Sequence, residues 1–167
     1  MFRTDLSGIN TQKLSKEPIK ISESVPSKII TFDSYIFLKS GKQLYRFSGE
    51  KQSFDKVSDD VVGLKPSPDA NKIVYFNEHE VWILSNKKKI FLTRLSDTIR
   101  DIFWLNPYYL IIQLNDGIKI AEIDNRSNIN TYTIFKGGLK KVLYDGDAKV
   151  LYILKTDKEF LKSDPIE

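Results

Sequence analysis

Residues 61–84, VVGLKPSPDANKIVYFNEHEVWIL, decide the fold. Three apolar, β-rich runs stand out, at 61–65, 72–76 and 81–84, with Lys89 to Thr93 as a fourth. Alternation at period two over four to six residues is the signature of strands rather than helices. The turn Pro66-Ser67-Pro68-Asp69-Ala70-Asn71 separates the first two runs. Its prolines have no N–H to donate and are expected outside the ladder. Asn77-Glu78-His79-Glu80 is the next turn, and the unit reads as four antiparallel strands.

The unit repeats. Hairpins starting at Ile36, Ile73 and Leu110 follow one another thirty-seven residues apart, each an apolar run, a polar turn (SGKQ, NEHE, NDG) and a second apolar run. A second mark, Lys13-Leu14-Ser15, Lys56-Val57-Ser58 and Arg94-Leu95-Ser96, closes successive units. Strands are therefore expected at 28–32, 35–38, 43–47 and 52–56 on one side. On the other they are expected at 99–104, 108–114, 117–123 and 130–135, with turns at Asn106-Pro107 and 124–128. The ends are partial units: 2–15 reads as strands three and four, 139–144 and 149–154 as strands one and two, and 158–162 as a weak third. Whether Ile19-Lys20-Ile21 forms a strand is open on sequence.

Composition agrees with one folded, strand-rich domain over 1–167. Of 167 residues 41% are hydrophobic and 12% aromatic, enough for a core. A formal charge of +4, spread among nearly as many acids, gives no nucleic-acid footprint, and no nucleic-acid partner is expected. The lack of cysteine excludes disulfides, thiolate metal sites and a cysteine nucleophile. No apolar run approaches the roughly 20 residues of a spanning helix, and the start, Met1-Phe2-Arg3-Thr4-Asp5, lacks the apolar core of a signal peptide. A soluble chain without a membrane segment is the expectation, with the compartment open.

Four short strands repeating at about 40 residues are the signature of β-propeller blades. Residues 65–75, KPSPDANKIVY, resemble the "SPDGKKIAF" segment of TolB-type and WD-repeat-like blades, and 2–8, FRTDLSG, resemble their "YRVDLDG" segment. The run 116–126, DGIKIAEIDNR, is similar to the propeller region of bacterial PEGA-domain proteins. The resemblance covers almost the whole chain, but its motifs mark turns. It implies that Asp69 is a turn residue. Two departures stand out: the Trp-Asp dipeptide is absent, and Ala70 stands where glycine is usual.

The expected fold is all-β: a β-propeller or half-propeller of about four four-stranded antiparallel blades, at about 28–57, 60–95 and 99–135, with a blade split between 1–15 and 139–162. TolB-like propellers typically have six blades. A chain of four can close as a small ring, can be part of a longer propeller, or can close with a second copy into about eight blades. The homodimer is the leading expectation of the three.

No catalytic or metal-binding constellation stands out. His79 is the sole histidine, flanked by Glu78 and Glu80, and adjacent residues do not easily converge on one ion, so a solvated turn is expected. Asp59, Asp60, Asp97, Arg100, Asp101, Lys140 and Lys141 fall in or beside the connections between units. In a propeller these connections share a face with the turns between strands two and three. The seven are the candidate partner-binding residues, set against the plainer reading of solubilising charge. Lys87-Lys88-Lys89 reads as an edge guard against aggregation. Tyr108-Tyr109, Trp104, Phe103 and Trp82 read as packing between blades rather than as platforms for base stacking. Asn125-Arg126-Ser127 fits a glycosylation sequon that matters only in a eukaryotic secreted protein.

The function expected is a non-enzymatic interaction or scaffold module that binds itself, another protein, or both, through a loop face. The alternative is a ligand- or glycan-binding accessory propeller of a larger cell-envelope protein or hydrolase. No cofactor and no metal is expected, and cell-envelope association is implied by the resemblance alone.

Overall fold

A computed structural model describes residues 2–3 (backbone only), 11–32, 35–85, 88–123 and 129–166. The expected turn at 124–128, its sequon, most of the segment 2–8, and Lys87 of the lysine tip lie outside the described residues. The chain divides into two compact units, Met1–Val61 and Val62–Glu167.

In the first unit β1 (Phe2–Arg3) pairs with β2 (Gln12–Lys13) as a two-stranded sheet. Sheet I follows as an antiparallel meander of β3 (Ser27–Phe32), β4 (Tyr35–Ser40), β5 (Gln43–Ser48) and β6 (Ser53–Ser58). Ile19-Lys20-Ile21, left open by the sequence, is not a strand.

The second unit holds three sheets. Sheet II is β7 (Gly63–Pro66), β8 (Lys72–Phe76), β9 (Glu80–Ser85) and β10 (Lys89–Arg94). Sheet III is β11 (Ile99–Asn106), β12 (Tyr109–Leu114), β13 (Gly117–Glu122) and β14 (Thr131–Lys136). Sheet IV has three strands, β15 (Leu139–Asp145), β16 (Val150–Lys155) and β17 (Phe160–Lys162). Pro66 belongs to β7, paired with Ile73, rather than to the turn alone. β7 is an edge strand of sheet II, so a residue without N–H costs the ladder little there.

The thirty-seven-residue period is visible in the register. Lys39 pairs with Leu44, Phe76 with Val81 and Gln113 with Ile118, each beside the turn between strands two and three. In each full sheet the fourth strand carries one extra residue, Val57, Leu92 or Ile134, opposite the start of strand three. Such bulges bend and twist the outer strand.

Alternation along β12 explains the stacking. Leu110 and Ile112 join Val74, Val81, Ile83 and Leu92 of sheet II in one core cluster. Ile111, pointing the other way, joins Val142, Leu151 and Ile153 of sheet IV in a second. A strand covered on both sides must be apolar at successive positions, which is why β12 reads as a continuous run, YLIIQL.

Candidate functional site

In sheets I, II and III the strand-two to strand-three turn is tied to the chain segment that leaves the sheet. Val61 N donates to Lys42 O at 2.8 Å, Ile99 N to Glu78 O at 2.7 Å, and Leu139 N to Asn115 O at 3.2 Å. Two further bonds, Leu95 N to His79 O (2.8 Å) and Gly137 N to Asp116 O (3.0 Å), hold the same junctions in the second unit. Turns and connections are thereby fixed together by backbone hydrogen bonds, whatever side chains they carry. Asn77 shapes one of these turns: its Oδ1 accepts from the N–H of His79 (2.9 Å) and of Glu80 (2.6 Å).

The seven candidate residues are distributed over this framework. In the first unit Asp60 lies 3.1 Å from Lys42, on the turn itself, and Asp59 lies 2.7 Å from Lys56. The Asp59 hydrogen bond holds the exposed Lys56 amine above its ordinary pKa. Both pairs are open to water and contribute little to stability.

In the second unit Asp97 is exposed at the bend before β11. Arg100 and Lys140 occupy like places: each is the extra residue near the start of the first strand of its sheet, in β11 and β15. Arg100 Nε donates to Asn115 Oδ1, and the backbone of the same asparagine receives Leu139. Asn115 therefore brings Arg100 to the segment that begins Leu139-Lys140-Lys141. Arg100, Lys140 and Lys141 all face solvent, which makes this a cationic stretch of the rim.

Asp101 is drawn elsewhere. Its carboxylate accepts from Ile102 N at 2.8 Å and lies 2.7 Å from Lys65 Nζ, which sits 4.0 Å over the Phe103 ring. The pair bridges the first strands of sheets II and III. Asp101 is thus tied to the neighbouring first strand while its side chain stays partly open to water.

Sequence reasoning missed the ties along these first strands. Trp104 Nε1 donates to Lys65 O at 3.0 Å, and Tyr144 OH to Leu105 O at 3.5 Å. Both span thirty-nine residues, so an aromatic donor recurring near that period was the available signal. Trp104 and Phe103 take the packing role that the sequence assigned them: Trp104 joins the core with sheet II and Phe103 the one with sheet IV. Tyr108, expected in the same role, is instead 66% exposed, because it stands in the turn before β12. Burial, and secondarily the neighbouring Asp145, raises the Tyr144 phenol above its ordinary pKa.

A groove of about 350 Å³ opens between sheet III and the end of sheet IV, lined mainly by Ile118, Ile134, Phe135, Leu151, Leu161 and Ile166. Sheet IV has no fourth strand among the described residues, and Ile134 of β14 is left half open at the groove. Among the described residues no group of three or more His, Cys, Asp or Glu is placed to hold a metal ion, and no helix is long and apolar enough to cross a membrane.

No protein-family model matches the chain, and no curated protein matches it in sequence. Solved structures do match its fold. The N-terminal domain of Nup159 is 11% identical over 87% of this chain and 48% of that one, with a TM-score of 0.60. A chain of the S. cerevisiae assembly of a Dbp5 variant with Nup159, a Gle1 variant, IP6 and ADP is 12% identical over 89% of this chain and 49% of that one, with a TM-score of 0.59. These neighbours are WD-like β-propellers. The chain spans about half the length of the solved structures it matches. Its fold class is all-β, with blade-like antiparallel sheets of the β-propeller kind.

Proposed function

We propose that this chain is a non-enzymatic β-propeller interaction module that joins a second copy of itself and presents its rim to another protein. One observation carries the rim reading. Arg100, Lys140 and Lys141 stand exposed on a framework of turns and connections that backbone hydrogen bonds fix in each full sheet. A rim whose backbone is already fixed binds with a smaller ordering cost at the moment of contact. Asp97 adds an acidic point near Arg100, and Asp59 and Asp60 give the first unit its own acidic stretch. The solved assembly of Dbp5 with Nup159 contains a propeller of this kind bound to another protein, which supports the reading. The TolB-type and PEGA-protein resemblance adds an expectation of a larger cell-envelope assembly.

Affinity capture from an extract of the source cells tests the rim. A triple variant, Arg100→Glu, Lys140→Glu and Lys141→Glu, is compared with the wild type. The expected result is a protein retained by the wild type and lost with the variant. Equal retention by both, or retention of nothing but a second copy, contradicts the rim assignment.

A further inference from the structure

Sheet IV has one covered face and one that is open in part. Val142, Leu151, Ile153 and Leu161 pack toward sheet III. The residues between them along the strands take the other side. Register sets six of these in two rows across the sheet: Lys141, Leu154 and Phe160 in one, Leu143, Tyr152 and Lys162 in the other.

Five of the six, all but Lys162, line an apolar depression of about 480 Å³. Phe160 is 66% exposed and Leu143 56%, while Tyr152 and Leu154 are half-buried. The Tyr152 and Phe160 rings stack 6.1 Å apart. Val150, beside the β15–β16 turn, is buried, so the open part of the face lies toward Leu154.

The charge around this patch is mainly positive. Lys141 stands at one corner and Lys162 at the corner diagonal to it, with its amine 5.9 Å over the Tyr152 ring. Among the described residues no carboxylate pairs with either lysine. The acids of the neighbouring turns are engaged elsewhere: Asp157 and Glu159 with Lys155, and Asp145 with the N–H groups of Asp147 and Ala148. Asp164 is exposed two residues past Lys162 and offsets part of the charge there. Lys141 also belongs to the cationic stretch with Arg100 and Lys140, so the rim and the apolar face meet at that residue.

We infer that this face binds an acidic, apolar segment of another protein, with an aliphatic or aromatic side chain in the depression and carboxylates at Lys141 and Lys162. The inference rests on the rim reading above and names the chemistry of its partner. Complementary charge selects the occupant. A segment with carboxylates beside its apolar anchor meets both lysines, whereas a basic segment opposes them and a purely apolar one leaves them unmatched. Shape selects a side chain over a lipid surface, because the patch is concave, whereas a bilayer is entered by apolar groups that protrude. Exposed apolar patches rimmed by polar residues are the usual mark of such sites.

Peptide selection tests the assignment. A phage-displayed library of short random peptides is selected on the wild type, and the enriched peptides are then measured by fluorescence anisotropy against Phe160→Ser and Lys162→Glu. Trp fluorescence and circular dichroism establish that each variant is folded. The wild type is expected to enrich peptides with aspartate or glutamate beside leucine, phenylalanine or tryptophan, and each variant to bind them about tenfold more weakly or worse. The double variant Lys141→Glu with Lys162→Glu is expected to reverse the preference, taking the same peptides with lysine in place of each acid. Enrichment of nothing, enrichment of peptides without acids, or equal binding by wild type and Phe160→Ser overturns the inference. So does binding to phosphatidylserine vesicles that Phe160→Ser abolishes, which gives the face to a membrane. A Phe160→Ser chain at half the wild-type mass in light scattering overturns it too, giving the face to a second copy. Peptides lost in Arg100→Glu with Lys140→Glu but kept by Phe160→Ser overturn the face and leave the rim reading intact. Failure of the rim reading shows differently, as an extract protein retained equally by the wild type and the triple rim variant.

Discussion

Ala70 offers a sharp test of how the β7–β8 turn is built. Its φ is +55°, in the left-handed region that L-residues avoid. The turn forces this through a closed set of bonds: Ser67 N to Lys72 O (2.8 Å), Lys72 N to Ser67 Oγ (3.0 Å) and Ala70 N to Ser67 O (3.0 Å). Placing a Cβ there costs about 1–2 kcal/mol. Glycine removes that cost but brings about 0.5–1 kcal/mol of extra chain entropy to the unfolded state. The balance predicts that Ala70→Gly stabilises by about 0.5–1 kcal/mol. For a chain of this size that raises Tm by about 1–4 °C. Both tryptophans, Trp82 and Trp104, lie in the second unit with the turn, so their fluorescence follows its unfolding. Urea titration should show a higher midpoint at unchanged slope. An Ala70→Gly protein that melts below the wild type would refute the argument, since it would mean that the turn does not hold Ala70 left-handed.

Two further predictions concern the same sheet. A Cβ on Gly63 would stand 2.5 Å from Phe76 Cζ, and Phe76 is buried, so Gly63→Ala is expected to cost about 1–3 kcal/mol; an unchanged urea midpoint would count against the packing described. The Asp69 carboxyl is held below its ordinary pKa, chiefly by the Ser67 hydroxyl and then by Asn71 and Lys72. A lowered folded pKa contributes stability above the unfolded value, about 3.9, that is lost as pH falls through the folded one. Asp69→Asn should therefore be less stable than the wild type at neutral pH by about 1 kcal/mol, with the gap closing in acid. A gap that persists at low pH would contradict the carboxylate's role.

The strands were legible because their signal is local. The apolar runs of β8, β9, β12 and β13 state both their period and, by being apolar at successive positions, that both faces are covered. The resemblance assigned Asp69 to a turn, and that is its place: Ser67 Oγ donates to its Oδ1 at 2.5 Å. What the sequence did not show depends on how sheets meet. Asn115 joins Arg100 to the Leu139 segment through its side chain and its backbone at once, a meeting of segments far apart in the chain. Asp101, grouped with the rim by its position in the chain, instead meets Lys65 because neighbouring first strands run side by side. Period two says which face a residue takes, not which residue waits on the facing sheet. The exposure of Phe160, at 66%, was hidden for the same reason: an apolar residue in a strand looks like core until its facing sheet is known.

Absolute mass of the unmodified chain in solution, by light scattering coupled to size exclusion over a dilution series, tests the central claim most directly. A mass of twice 19.3 kDa that persists on dilution is the predicted result. A single-chain mass at every concentration would contradict it.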